Sequence, residues 1–116
     1  MMLAPEHNPA KIRSSKYREA ASGQPCTLEI LGVCNHHPET TVLAHLPGEH
    51  KGTASKVDDT NAVDACSACH AVIDGPSTGW PPGELALREW YLRRALARTI
   101  RNRVMRGILT LEDFTP

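Results

Sequence analysis

The feature that most constrains this chain is a short stretch in which two cysteines are separated by two residues and a histidine follows at once: Cys66-Ser-Ala-Cys69-His70, with Asp74 four residues on. Cys-x-x-Cys spacing lets both sulfurs turn toward one tetrahedral ion, for which Zn²⁺ is the default occupant. A closed site needs two more thiolates. The chain has four cysteines in all, so a site made of Cys26, Cys34, Cys66 and Cys69 uses every thiol and leaves none over. If a helix begins near Ser67, His70 and Asp74 stand at i and i+4 on one face. That pair is a candidate for a second, different metal.

Rival chemistries fit the same residues less well. Cys66-x-x-Cys69-His70 matches a c-type haem attachment pattern, which requires export. The opening residues Met1 to Pro9 contain no apolar run of the kind a secretory signal needs, so neither export nor a disulfide framework is expected. A thioredoxin-like redox pair lacks its βαβ setting. A zinc deaminase asks for His-x-Glu and Pro-Cys-x-x-Cys; His37-Pro-Glu39 imitates the first half, but Ala65 stands where the proline should be.

At 116 residues the chain is expected to form one domain with a modest core. Aromatic mass is thin, with one Phe, two Trp and two Tyr. A structural zinc therefore matters, since its binding can contribute on the order of 10 kcal/mol to the folding of such a module. No run approaches the roughly 18 apolar residues of a membrane span, and no membrane partner is expected. The formal net charge is zero, so the distribution of charge carries more information than its sum. Lys11, Arg13, Lys16 and Arg18 gather near the start, and Arg88, Arg93, Arg94, Arg98, Arg101, Arg103 and Arg106 near the end.

Taken in order, residues 1–12 read as a flexible tail. Ser14 or Ser15 caps a short helix through Tyr17, Arg18, Ala20 and Ala21, stopped by Ser22-Gly23. Cys26 to Leu31 alternates as a short strand does, and Gly32 to Pro38 is a turn carrying Cys34; His36 and His37 are turn residues there. Thr40 to Leu46 is β-branched and apolar, a strand with His45 near its end. Pro47 to Lys56 is a long polar loop. A second strand, Ala62 to Ala65, leads into a helix from about Ser67 that the Gly75-Pro76 breaker ends. From about Glu84 to Arg106 the spacing predicts one long helix with Leu85, Leu92, Leu96, Ile100 and Val104 on its core face and Arg94, Arg98 and Arg101 elsewhere.

Assembled, the predicted fold class is α+β. A zinc-stapled core over residues 13–80 carries an N-terminal helix, and residues 81–116 supply a long C-terminal helix packed on it. The order strand, long loop, strand, helix is a ββα-metal arrangement. In this respect the sequence resembles the HNH endonucleases of the His-Me finger group, in which an Asn precedes the first cysteine of Cys-x-x-Cys-His by five residues, as Asn61 precedes Cys66. More closely it resembles the small phage and prophage YbcO-like nucleases, and more distantly the RecA-dependent phage nuclease Ref. The matching stretches are Arg18-Glu-Ala-Ala21, Gly32-Val-Cys-Asn35, Pro38-Glu-Thr-Thr-Val-Leu-Ala-His45, Gly52-Thr53, Lys56 with Asp59, Cys66 to His70, and Ile73-Asp74.

The resemblance implies phosphodiester hydrolysis in DNA, double- or single-stranded, in phage or prophage recombination or DNA processing within the bacterial host cytoplasm. A recombinase filament is an implied partner. His45 is the implied general base, an imidazole being suited because its unperturbed pKa lies near neutral. Asn61 is the implied brace for the loop that aims His45, and His70 with Asp74 the implied holders of a catalytic Mg²⁺ or Mn²⁺, with Zn²⁺ or Ni²⁺ as alternatives. Ala44 stands where many HNH nucleases carry an aspartate as a further ligand, so Asp58, Asp59 or His50 from the long loop is a candidate to replace it. The competing class is a zinc-stabilised module that grips nucleic acid or a recombination protein with its basic helices and cleaves nothing.

Overall fold

The computed structural model describes residues 12–46, 58–110 and 112. The expected tail before Ile12 and the polar loop with His50, Gly52 and Lys56 lie outside the described residues. The described chain forms a helix α1 (Ser15–Glu19), strands β1 (Val42–His45) and β2 (Ala62–Ala65), a helix α2 (Ser67–Asp74) and a long helix α3 (Arg88–Met105). It is thus a small α+β fold with a two-stranded sheet and a long C-terminal helix.

Local chemistry accounts for most of these boundaries. Ser14 caps α1, its side chain accepting from the Tyr17 N–H at 3.1 Å, which satisfies a donor the first turn leaves open. α2 begins where Cys66 turns out of β2, and the Cys66 sulfur accepts from the Cys69 N–H at 3.4 Å. It ends at Gly75, where a Cβ would meet the Ala71 carbonyl at 2.9 Å. β1 and β2 pair antiparallel, with Val42 opposite Ala65, Leu43 opposite Asp64, Ala44 opposite Val63 and His45 opposite Ala62. Opposed residues share a face, so His45 and Ala62 lie on the same side as Leu43 and Asp64.

The Cys26–Leu31 segment is not a strand. Its alternation is partial: Cys26, Leu28 and Ile30 are buried and Glu29 and Leu31 exposed, but Thr27 is buried as well. It lies along the second edge of β2, where the Thr27 N–H donates to the Asp64 carbonyl at 2.8 Å. But Glu29 adopts a φ of 46°, a left-handed conformation that breaks extension. Guanidinium groups bind its carbonyls instead: Arg94 donates to Leu28 O at 2.7 Å, and Arg98 to Thr27 O at 3.3 Å and to the Glu29 carboxylate at 2.7 Å. Arg94, half-buried, and Arg98, still exposed, are therefore both tied to this segment.

α3 also departs from expectation in its start and its register. Leu85 to Leu87 form a separate 3₁₀ turn, and Leu85 is exposed. The buried line is Tyr91, Leu92, Ala95, Thr99 and Arg103, while Leu96, Ile100 and Val104 are only half-buried. Short Ala95 and Thr99 let α3 close on β2, and Thr99 Oγ1 takes the Asp64 N–H at 3.0 Å. Arg103, fully buried, grips both oxygens of the Asp64 carboxylate at 2.6 and 2.8 Å and donates to Tyr17 O at 3.2 Å. Its guanidinium also stacks 4.9 Å over the Tyr17 ring. One side chain thus ties α3 to β2 and α1.

Breaking that pair strands a charge in the interior. Arg103→Met is expected to destabilise the folded chain by about 3–5 kcal/mol, whereas adding Asp64→Leu to it should recover much of the loss. Urea unfolding of the two variants beside wild type measures both effects. Additive losses in the double variant would show that the two side chains act independently.

Candidate metal centre and catalytic site

Cys26 and Cys34 flank the bent segment beside β2, and Cys66 and Cys69 open α2. This brings the four sulfurs within 4.8 Å of one another, with Cys34 and Cys66 Sγ 3.9 Å apart. Tetrahedral zinc at about 2.3 Å from each sulfur requires separations of about 3.8 Å, so the cage has the size of that ion. All four cysteines are free thiols, three of them buried. They compete for charge: a hydrogen bond from Cys69 holds the Cys26 thiol down at about 5, and the same bond, with burial, pushes Cys69 up. Burial pushes Cys34 up to about 11. A divalent cation removes that competition, and the amino end of α2 adds favourable dipole. Four cysteines this close together could hold a metal such as zinc, and four thiolate ligands would leave it no open position. His36 and His37 are exposed turn residues beside it; His36 Nδ1 lies 3.6 Å from Cys34 Sγ, and His37 pairs with Glu39 at 3.3 Å.

One turn further along α2, His70 Nε2 and Asp74 Oδ2 stand 3.0 Å apart, both partly open to solvent. An imidazole nitrogen and a carboxylate oxygen therefore converge on a single point. That is the expected i, i+4 geometry.

His45 closes β1 with its side chain three-quarters buried, and Nε2 faces Asp59 Oδ1 at 2.9 Å. The Asn61 amide donates to the carbonyl of Leu46, the residue after His45, at 3.4 Å, and the Leu46 N–H returns to Asn61 O at 2.8 Å. These bonds pin the start of β2 to the end of β1.

Asp59, one of the candidate replacement ligands, has both carboxylate oxygens engaged within the chain. It is buried, and its Oδ2 accepts from Ser14 N–H at 2.6 Å and Arg18 Nη1 at 2.8 Å. Burial opposes its ionisation, but the hydrogen bonds from Ser14, His45 and Arg18 outweigh that and hold its pKa below the usual carboxylate value. Asp58 accepts from the Ile12 N–H at 2.9 Å, so both acids tie down the segment leading into α1. Arg18, expected as part of a basic face, is committed to Asp59. The Asp59 contact was detectable in sequence only as one member of the family-like pattern, with no spacing that pairs it with His45.

Among the described residues no helix is long and apolar enough to cross a membrane. A family model described as "Putative nuclease YbcO" matches residues 15–107 of the chain. Over 58 residues the chain is 52% identical to "Putative nuclease YbcO" of Escherichia coli K12 and equally to "Putative nuclease ybcO" of Enterobacteria phage 82, in each case over 49% of this chain and 60% of the relative. The chain thus spans about three-fifths of the length of these curated relatives. A solved structure of "a putative bacteriophage protein" from Escherichia coli K-12 superposes with a TM-score of 0.60 at 34% identity, covering 79% of this chain and all of the other.

Proposed function

The chain belongs to the family of putative nuclease YbcO, and from that premise we propose that it is a metal-dependent HNH-type endonuclease that hydrolyses phosphodiester bonds in DNA. The observation that carries this reading is the order β1, β2, α2, with His45 at the end of the first strand held by a buried carboxylate and His70 and Asp74 3.0 Å apart on the helix. A candidate base and a candidate metal pair carried on one strand–strand–helix unit supply the two functions that hydrolysis of an unactivated phosphodiester uses.

His70 and Asp74 would hold the catalytic ion. One nitrogen, one oxygen and open solvent suit Mg²⁺ or Mn²⁺, which retain several waters. When bound, such an ion neutralises phosphate charge and stabilises a departing oxygen. The chain's own contribution is the proton transfer. His45 takes a proton from water as its oxygen attacks phosphorus in line; the bond to the 3′ oxygen breaks, and that oxygen takes a proton from solvent, leaving a 5′ phosphate and a 3′ hydroxyl. Asn61 keeps the end of β1 in place and touches no substrate. The four cysteines would hold a structural zinc and take no part in the reaction.

Purified protein is expected to cut plasmid and single-stranded circular DNA when Mg²⁺ or Mn²⁺ is supplied and to stop on chelation of that ion. Repeating the assay with a recombinase filament tests the partner the resemblance implies. Absence of cleavage under Mg²⁺, Mn²⁺, Ni²⁺ and Zn²⁺, with and without the filament, would transfer the reading to a non-catalytic zinc-stabilised binding module.

A further inference from the structure

Asp59 has no counterpart in the chemistry assigned so far, yet it is one of the least exposed carboxylates among the described residues, with its side chain 3% accessible. Both of its oxygens face donors. Oδ2 takes Ser14 N–H and Arg18 Nη1, and Oδ1 faces His45 Nε2 at 2.9 Å with Arg13 Nε at 3.6 Å. We infer that Asp59 is the positioning residue for His45, and that it holds the ring as the Nε2–H tautomer so that Nδ1 is the atom that accepts the proton from water. The inference rests on the nuclease reading above.

The chemistry follows from what a carboxylate can do. Ionised, it only accepts, so the imidazole nitrogen against it must carry the hydrogen. A neutral ring holds one hydrogen, and the lone pair is then on Nδ1. Asp59 itself is fixed from the far side: the Ser14 N–H belongs to the cap of α1, and Arg18 lies within that helix. A rigid path therefore runs from α1 through Asp59 to the ring. Asp59→Asn tests it sharply. Ser14 and Arg18 both donate, so the Asn oxygen turns to them and its NH₂ turns to His45, which reverses the tautomer and protonates Nδ1.

The decisive readout needs no turnover. In ¹⁵N-labelled, zinc-loaded wild type above the titration of the ring, the His45 resonances, assigned by their loss in His45→Ala, should show a protonated Nε2 and an unprotonated Nδ1. Asp59→Asn should show the reverse. Its kcat for DNA cleavage should fall by about 10²-fold or more with KM and zinc content near wild type. Should Asp59→Asn fail to fold, the wild-type spectrum alone decides the tautomer. A wild-type His45 protonated on Nδ1, or a folded Asp59→Asn cutting at the wild-type kcat, overturns the inference. An inactive wild type with the expected spectrum overturns the nuclease reading and leaves the Asp59 positioning standing.

Discussion

Cys66→Ser is expected to leave the protein without its zinc and without a cooperative unfolding transition. Cys66 lies at the junction of β2 and α2, is fully buried, and offers its sulfur both to the cluster and to the first turn of the helix. Removing it takes one of four ligands and loosens the element that carries Cys69. In a small module of this kind metal binding and folding are largely the same free energy, on the order of 10 kcal/mol for zinc. No single apolar truncation in the core reaches that size. Cys26→Ser should behave alike. Elemental analysis together with thermal and urea unfolding reads both effects. A full equivalent of zinc in Cys66→Ser, or a Cys26–Cys34 disulfide in protein kept reduced, would rule out the four-cysteine site.

His45→Ala and His70→Ala should both suppress cleavage, by routes that excess metal separates. His45 is proposed as the base, so its loss should leave zinc content, folding and DNA affinity near wild type while lowering metal-dependent cleavage by about 10²-fold or more. No concentration of Mn²⁺ should restore it, because an ion cannot replace the missing proton acceptor. His70 is proposed as a ligand; its loss weakens the site, and mass action at high Mn²⁺ should return part of the activity. Cleavage curves against Mn²⁺ for the two variants and wild type distinguish the cases. If His45→Ala cuts at the wild-type rate, the base lies elsewhere; if both variants respond alike to Mn²⁺, the division of roles is wrong.

What could be read from the sequence was whatever local chemistry decides. Ser14 as a cap, β2 over Ala62 to Ala65, the helix from Ser67 and its end at Gly75 all follow from side chains acting on backbone within a few residues. The cysteine cage was legible because Cys-x-x-Cys fixes two ligands and the chain holds only two more. The misreadings share a different cause. Cys26 to Leu31 has the pattern of a strand but lies bent because Arg94 and Arg98, more than sixty residues on, take its carbonyls. The face of α3 was assigned from Leu85, Leu92, Leu96, Ile100 and Val104, whereas Arg103 is drawn inward by Asp64, 39 residues before it. Asp64 itself stood in an apolar strand with no local partner. A buried carboxylate in such a run asks for a cation from a distant element, and an arginine-rich helix was the available source. Asp59 stood only as one of three candidate ligands, because its partners Ser14 and Arg18 come from the cap and body of a helix over forty residues earlier.

The arginine-held segment beside β2 also bears on how the chain behaves in a crowded solution. A sheet of two four-residue strands has two outer edges, and an unpaired edge is a template on which another copy can add a strand. At the outer edge of β2 the Asp64 carbonyl is already taken by Thr27, through both its N–H and its hydroxyl. The segment that takes it is a poor template in turn, since Glu29 breaks its extension and the guanidinium groups of Arg94 and Arg98 bind two of its carbonyls. Growth of the sheet stops there. Two cations on a helix therefore help to close the β2 edge of this short sheet to strand addition by another copy.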